Sequence, residues 1–364
     1  MNTATMTALQ DAISGEVILP EDQAYEEARK TFVHAGTPAI VIRCHTTEDV
    51  QRAIRSARAT GLPLSIRGGG HSGAGFGTND GGMVIDMSLV NEIRVIDPPR
   101  HIVRIGTGAE WIDVATTLEA HRLAISSGDT TSVGVGGLML GGGIGWMVRK
   151  YGLALDSLVA VEVVTADGRV LRASAHEHAD LYWAIRGGGG NFGVVTRFEV
   201  AAHPVERVLF GTITYPATEA ATVLRGWRDY MRTASDDITT TARLFPAFGG
   251  PPAPLVIAVC SAGDDADTAR REITPLLHLG RVVDQDIRQM PYADVLDEPG
   301  ELPPSWQPLV RNRSRGTSRT TSSTSSPPTP GTSAPCSWRS EAWAGHSAPS
   351  HTTPRPSPIG TARS

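Results

Sequence analysis

The chain has 364 residues, a net charge of −5, 40% hydrophobic and 20% charged residues, and three cysteines. That length allows two or three domains with a sizeable core, no apolar run reaches the roughly 18 residues of a membrane-spanning helix, and no basic patch with interleaved aromatics marks a nucleic-acid surface. Cys44, Cys260 and Cys336 lie far apart and outside any Cys-x-x-Cys spacing, which argues against a disulfide framework and a zinc site. The N-terminus has neither a basic flank nor a continuous apolar stretch, so it does not read as a secretory signal, and a cytoplasmic location is expected.

In chain order, residues 1–35 read as an N-terminal arm in which Pro20-Glu-Asp-Gln-Ala-Tyr-Glu-Glu opens a helix with acidic residues in its first turn, where the helix dipole favours them. Residues 38–43 form an apolar strand. Thr46, Thr47, Glu48 and Asp49 supply a cap and an acidic first turn for an amphipathic helix with apolar positions Val50, Ala53, Ile54 and Ala57, and Gly61 ends it. Short strands are expected at 64–66, 83–88, 93–96 and 102–105, then a helix over 111–121. Residues 158–165 and 170–173 make a hairpin around the Asp167-Gly168 turn, and Asp180 caps a short helix over 181–185. Beyond about residue 207 the pattern becomes strands at 209–214, 238–244 and 255–261 and helices at 218–233 and 264–277, a sheet with helices on one face.

Three glycine clusters stand out. The first holds Arg67, Gly68, Gly69, Gly70, His71 and Ser72; the second spans 126–145 and includes Gly128, Thr130, Gly134, Gly136, Gly137, Gly143 and Gly145; the third spans 186–196 and ends in Gly193, Val194 and Val195. Glycines let a bulky anion approach bare backbone amides, and runs of such amides form concave anion sites. Gly68-x-Gly70-x-x-Gly73 formally fits the dinucleotide fingerprint. It fails on context, because no helix opens after it and no acidic residue closes a second strand at the right distance. A Gly-Lys-Ser/Thr loop for a nucleotide triphosphate is absent as well. His176-Glu177-His178 lacks a third ligand and reads as solvated surface. Trp146, Tyr151 and Trp183 read as packing residues, while Tyr215 and Arg243 are candidates to face a substrate.

The ordered set Arg67-Gly-Gly-Gly-His71-Ser72, Asp86-Met-Ser88, Gly134-Val-Gly-Gly137 with Gly141-Gly-Gly-Ile-Gly145-Trp146, Arg149-Lys-Tyr-Gly-Leu153 and Arg186-Gly-Gly-Gly-Gly-Asn-Phe-Gly193-Val-Val-Thr196 resembles the FAD-linked oxidases of the berberine bridge enzyme type. These belong to the vanillyl-alcohol oxidase and p-cresol methylhydroxylase class. The resemblance implies an α+β architecture: a two-subdomain PCMH-type FAD-binding domain over 36–206, then an incomplete α+β substrate domain over 207–310 with an antiparallel sheet. It implies that Arg67, Gly68, Gly69, Gly70 and Ser72, with Gly128, Thr130, Gly134, Gly137, Gly143 and Gly145, wrap the pyrophosphate and ribityl chain. Val194 or Val195 would meet the adenine through its backbone. His71 matches the histidine that bonds covalently to the methyl carbon of the flavin's dimethylbenzene ring, and a bond of this kind favours hydride acceptance. Many members add a link from a cysteine; here that position is Thr130, so a single link through His71 is expected. The implied reaction takes a hydride from a small organic substrate to the flavin and returns the electrons to dioxygen. The family's C-terminal Asn-Tyr-x-Asn-like motif has no counterpart after residue 300, and no tyrosine follows Tyr292, so the general base is unassigned.

Residues 311–364 change composition, with 22 Ser or Thr, 8 Pro and 7 Arg against the single acidic Glu341 and the single large aliphatic Ile359. Such a segment buries too little apolar surface to offset about 1–2 kcal/mol of backbone entropy per residue and is expected to be disordered. It reads either as a low-complexity tail or, preferably, as an out-of-frame stretch of an Arg- and Ala-rich gene. The alternative function that follows is a truncated flavin-binding remnant without turnover.

Overall fold

The computed structural model describes residues 3–245, 250–298 and 338–341. Its first layer contains α1 (Thr3–Ala12), β1 (Glu16–Ile18), α2 (Tyr25–Ala28), β2 (Ile40–Arg43), α3 (Thr47–Thr60), β3 (Leu64–Arg67) and β4 (Met83–Asp86). The sheet order is β1-β2-β4-β3. β2 and β3 both run parallel to β4, so β2-α3-β3 is a crossover unit with α3 on one face. That helix forms where the sequence marks it. Thr46 and Asp49 close a capping box, and Gly61 ends the helix in the left-handed region at φ +69°. Val50, Ala53, Ile54 and Ala57 face the sheet in one core with Ile40, Ile42, Met83 and Ile85.

The arm over 1–35 is not separate from this layer. β1 pairs antiparallel with β2, Leu9 and Ile13 of the α1 region join the α3 core, and Tyr25 and Ala28 pack with Val41 and Val84 on the opposite face.

The second layer has β5 (Ile93–Asp97), β6 (Ile102–Gly106), α4 (Trp111–Glu119), β7 (Leu123–Ala124), α5 (Val135–Gly141), α6 (Val148–Tyr151), β8 (Leu158–Val164), β9 (Val170–Ser174), α7 (Ala179–Gly188), β10 (Val194–Ala201) and β11 (His203–Pro204). Its main sheet, β5-β6-β10-β8-β9, is antiparallel. β10 opens at the seam of the two layers, since Val194 lies in the first layer's core and Val195 in the second's. Asp180 is not the cap of α7. His178 holds that place at φ +47° and the Asp180 carboxylate accepts only from the adjacent Leu181 amide, so the helix begins two residues earlier than its acidic residue suggests.

The third layer contains β12 (Val208–Tyr215), α8 (Ala220–Met231), β13 (Ile238–Leu244), β14 (Leu255–Ser261), α9 (Ala266–Ile273), β15 (Asp284–Met290) and β16 (Trp338–Glu341). The antiparallel order is β15-β12-β14-β13-β16. α8 and α9 cover one face through Val223, Trp227, Met231, Ala269 and Ile273. Ala258 and Cys260 face the other way and join the second layer's core, where Phe210 meets Trp146 edge-on at 5.0 Å. Within the segment expected to be disordered, Trp338–Glu341 pairs with β13. An open strand edge with unpaired amides and carbonyls is a template that even a weakly apolar segment can complete. The rest of 311–364 lies outside the described residues. No helix among the described residues is long and apolar enough to cross a membrane.

Candidate functional site

The first glycine cluster leaves the C-terminal end of β3 and the second approaches it from β7. Arg67 and Asp86 end the paired strands β3 and β4 in register. Their side chains form a buried ion pair at 2.7 Å, 8% and 6% exposed, and Arg67 Nη1 also donates to the Lys30 carbonyl at 2.8 Å. The guanidinium expected to touch a cofactor is therefore committed to anchoring the loop, and anion binding falls to the loop's backbone.

The two clusters meet backbone to backbone. A Cβ on Gly69 would lie 2.3 Å from the Gly134 amide nitrogen, and one on Gly134 would lie 2.2 Å from that of Gly69. Only glycine at both positions lets the loops close to this distance. The expected residues then divide into two groups. Gly128 and Gly145 are buried and packed on protein: a Cβ on Gly145 would overlap the Ser127 carbonyl oxygen at 1.5 Å. Gly143 is likewise packed on Leu138 and Ala154. By contrast Gly68 has only the Thr107 carbonyl and the Gly137 amide before it, at 3.4 and 3.9 Å from its would-be Cβ, and Gly137 has nothing within 4 Å. Gly141, Gly187, Gly189 and Gly190 are open in the same way, on α5 and at the end of α7, which pack together. This open, glycine-walled space beside bare amides is what a flavin dinucleotide requires, and the residues present fit it.

His71 sits at the junction of the clusters. It is half-buried, its ring stacks on Phe32 with centroids 4.6 Å apart and planes at 17°, and its Nε2 lies 2.9 Å from the Ser132 hydroxyl. Burial lowers its pKa below the ordinary histidine value, with a backbone hydrogen bond at Ser132 opposing in part, so the ring is neutral and nucleophilic at neutral pH. Ser72 is exposed and its carbonyl accepts from Gly75. Thr130 donates to the Asp129 carboxylate at 3.1 Å and bridges to Asp297. Val194 and Val195 lie in register with Val164 and Val163, their side chains buried. Cys44 and Cys260 are buried, and burial drives both thiols far above their ordinary pKa, which makes them poor nucleophiles.

Two aromatic expectations are corrected. Trp183 does not pack: it is 77% exposed, because its place on α7 faces away from the core that takes Ile185. Tyr215 does not face a substrate, since it is fully buried beneath α8 and α9 and its hydroxyl donates to the Leu276 carbonyl. Arg243 does face the second layer and pairs with Asp297 at 3.3 Å. On its strand the Thr239 and Thr241 hydroxyls and Arg243 Nε are buried without a hydrogen-bond partner among the described residues. His176, Glu177 and His178 are exposed. Phe32 and Ser132, which frame His71, were not singled out by the sequence. Ser132 lies two residues from Thr130 in the same motif, whereas Phe32 comes from the arm and carries no local signal.

Residues 38–174 match the family model described as an FAD-binding domain. The chain is 36% identical over 290 residues to (R)-6-hydroxynicotine oxidase of Paenarthrobacter nicotinovorans, covering 78% of this chain and 63% of the relative. The crystal structure of the 6-hydroxy-D-nicotine oxidase from Arthrobacter nicotinovorans superposes with a TM-score of 0.73 at 35% identity, over 78% of this chain and 63% of that one. A glucooligosaccharide oxidase from Acremonium strictum, described as carrying a 6-S-cysteinyl, 8α-N1-histidyl FAD, gives 0.71 at 26% identity, over 81% and 62%. A berberine-bridge-enzyme-like protein of Physcomitrella patens gives 0.74 at 22% identity over 84% and 67%, a likeness of fold. The chain thus spans about 63% of the length of the curated relative named above. Residues 38–174 are therefore an FAD-binding domain, and the chain is similar in sequence to FAD-linked oxidases and in fold to those of the berberine bridge enzyme type.

Proposed function

We propose that the protein is an FAD-dependent oxidase that takes a hydride from a small organic substrate, with its flavin held covalently by His71 and dioxygen as the reoxidant. The observation that carries this reading is the position of His71, a neutral, half-buried imidazole at the contact between two glycine clusters that border an open cradle. Bound there, FAD supplies hydride acceptance and electron transfer to dioxygen. The chain's own residues divide the work. Gly68, Gly69 and Gly134 bring backbone amides to the anionic part of the cofactor, and the Arg67–Asp86 pair fixes the loop that carries them. Thr130, in the place of the cysteine that makes a second link in many members, leaves His71 as the sole attachment point, a hydroxyl being the weaker nucleophile.

The relatives are named for oxidation of a hydroxylated nicotine and of an oligosaccharide, which sets the panel for the test. Purified protein is expected to be yellow, to keep its flavin after acid precipitation, and to lose that retention in His71→Ala. Anaerobic bleaching by one of a panel of hydroxylated N-heterocycles, oligosaccharides, alcohols and amines, with peroxide formed on admitting air, is the expected outcome. Flavin retained by acid-precipitated His71→Ala sinks the single-link reading. A stable yellow protein that none of the panel bleaches assigns flavin binding without turnover.

A further inference from the structure

We propose that Arg149 and Lys150 are positioning residues that hold β13 at its first residue and, through that strand, set the loop at 129–132 beside His71; the bearing on the flavin rests on the reading of that loop as a wall of the cofactor site. The Arg149-Lys-Tyr-Gly-Leu153 run belongs to the second layer, yet its two cations act on the third. The Arg149 side chain, on α6, is 9% exposed. Its Nη1 donates to the Ser235 and Ile238 carbonyls at 3.1 and 2.9 Å, and its Nη2 to the Ala234 carbonyl at 3.0 Å and the Asp236 carboxylate at 3.1 Å. Lys150 Nζ donates to the Ala262 carbonyl at 2.7 Å and pairs with Asp237 at 2.9 Å. The Ala262 amide in turn donates to the Asp237 carbonyl at 2.9 Å. Both cations therefore grip the point where β13 begins and β14 ends.

The grip is itself fixed to the second layer. Tyr151, next on α6, stacks on His203 with ring centroids 3.8 Å apart and planes at 7°, and His203 Nε2 lies 3.1 Å from the Ser157 hydroxyl. A planar guanidinium holding four acceptors in a buried site fixes residues 234–238 to one placement, where a flexible ammonium would allow several.

β13 carries that placement toward the site. From Ile238 to Arg243 the strand advances five residues, about 17 Å. There Arg243 pairs with Asp297 at 3.3 Å, with side chains 23% and 54% exposed, and a partly exposed pair of this kind is weak. Asp297 accepts from the Thr131 amide and donates to the Asp129 carbonyl, and Ser132, next in that loop, lies 2.9 Å from His71 Nε2. The hold at 238 is buried and fourfold, the hold at 243 single and half in water. The strand's place is therefore decided at its Arg149 end, and Arg243 passes it to the loop by way of Asp297.

The test is amide hydrogen exchange on the full chain, resolved to single amides by mass spectrometry, with every rate taken relative to the α3 amides so that a global loss of stability cancels. Arg149→Met strands three carbonyls and is expected to speed exchange of the Ile238 and Ala262 amides roughly tenfold. The Thr131 amide, whose partner is Asp297, is expected to exchange about threefold faster, the size of effect that a partly exposed ion pair can transmit. Lys150→Met should move the same three amides by less. In an Arg243→Met background the Thr131 amide should already exchange faster, and Arg149→Met should add nothing to it. Thr131 exchange that stays at the wild-type rate in Arg149→Met while Ile238 exchange rises overturns the proposal and leaves Arg149 a local brace. An equal effect of Arg149→Met on Thr131 with and without Arg243 overturns it as well. Should Arg149→Met fail to fold, Lys150→Met decides in its place, since it must speed Thr131 exchange only when Arg243 is present. The measurement needs no flavin, so a protein that binds none removes the cofactor reading alone, whereas a flavin-binding protein with Thr131 unmoved removes this inference alone.

Discussion

Gly137→Ala separates the architecture of the cradle from its use. Gly137 lies inside α5, and a Cβ built on it meets nothing within 4 Å. In the cofactor-free protein the substitution should stabilise, since alanine in a helix interior is favoured over glycine by about 0.5–1 kcal/mol, a rise of roughly 1–4 °C in Tm for a domain of this size. With flavin the sign reverses. The new methyl occupies the space into which the cofactor must fit, and overpacking of about 1–3 kcal/mol corresponds to roughly 5- to 150-fold weaker binding. The assay is a paired one in the His71→Ala background, where the flavin is exchangeable: Tm without FAD, and Kd from flavin fluorescence. Gly69→Ala is the contrast, because its Cβ would fall 2.3 Å from the Gly134 nitrogen and should lower both stability and affinity. A Gly137→Ala protein that folds as expected yet binds FAD with unchanged Kd would show that the open space is not the cofactor's.

Arg67→Ala leaves Asp86 buried with Arg43 Nε, 3.5 Å away, and the Ser88 amide, 3.0 Å from Oδ1, to answer its charge. A loss of about 3 kcal/mol is expected in urea unfolding, the lower end for breaking a buried pair, and a loss under about 1 would refute the role given to it. Asp49 is fully buried; burial favours its neutral form, but donors from Ser14, His45 and Thr46 outweigh this and lower its pKa. Its contribution is therefore present above the unfolded carboxylate pKa and fades as pH falls through the lowered folded one. Asp49→Ala should cost about 3 kcal/mol at pH 7, from a lost cap and stranded donors, and little at pH 2–3 in the same urea series. His71 and His203 are both lowered chiefly by burial, His203 also by Lys150 and His101. Neutral histidine is the folded form, so the stability they give is full above the ordinary value of 6.5 and is lost as pH falls through the lowered folded values. Tm should decline on that limb, and an equal decline in His71→Ala/His203→Asn protein would exclude them as its cause.

What could be read from the sequence was what local chemistry dictates. The Thr46–Asp49 box, the Gly61 stop and the apolar strands β12 and β14 each follow from residues within one turn or one strand. The glycine clusters marked the cradle because each cluster is contiguous. β15 was missed because Asp-Gln-Asp-Ile-Arg-Gln-Met is polar on both faces, and only the open edge of β12 makes it a strand. α5 was missed because glycines at 136, 137 and 141 oppose a helix that packing of Val135 and Met139 imposes. At the site, the sequence could place His71 but not its partners, since Ser132 is 61 residues away and Phe32 comes from the N-terminal arm, 39 residues before it. It also could not tell a glycine that faces a ligand, such as Gly137, from one that seats a neighbouring carbonyl, such as Gly145.

The loop that carries Ser132 is where the two halves of the chain meet. On one side it is tied to the start of α4, with the Trp111 and Ile112 amides donating to the Val133 and Thr131 carbonyls. On the other, the Thr131 amide donates to the Asp297 carbonyl, the Asp297 amide donates to the Asp129 carbonyl, and the Thr131 hydroxyl donates to Glu298 at 3.1 Å. Asp297 is in turn paired with Arg243 of β13. Residues 239, 241 and 243 share one face of that strand, since side chains alternate along it, and it is this face whose Thr hydroxyls and Arg243 Nε lack partners among the described residues. A displacement of β13 therefore reaches the His71 contact through one aspartate and two backbone hydrogen bonds. The third-layer sheet is in this sense part of the candidate site, because the position of Ser132 depends on it as much as on the glycines that bring the loops together.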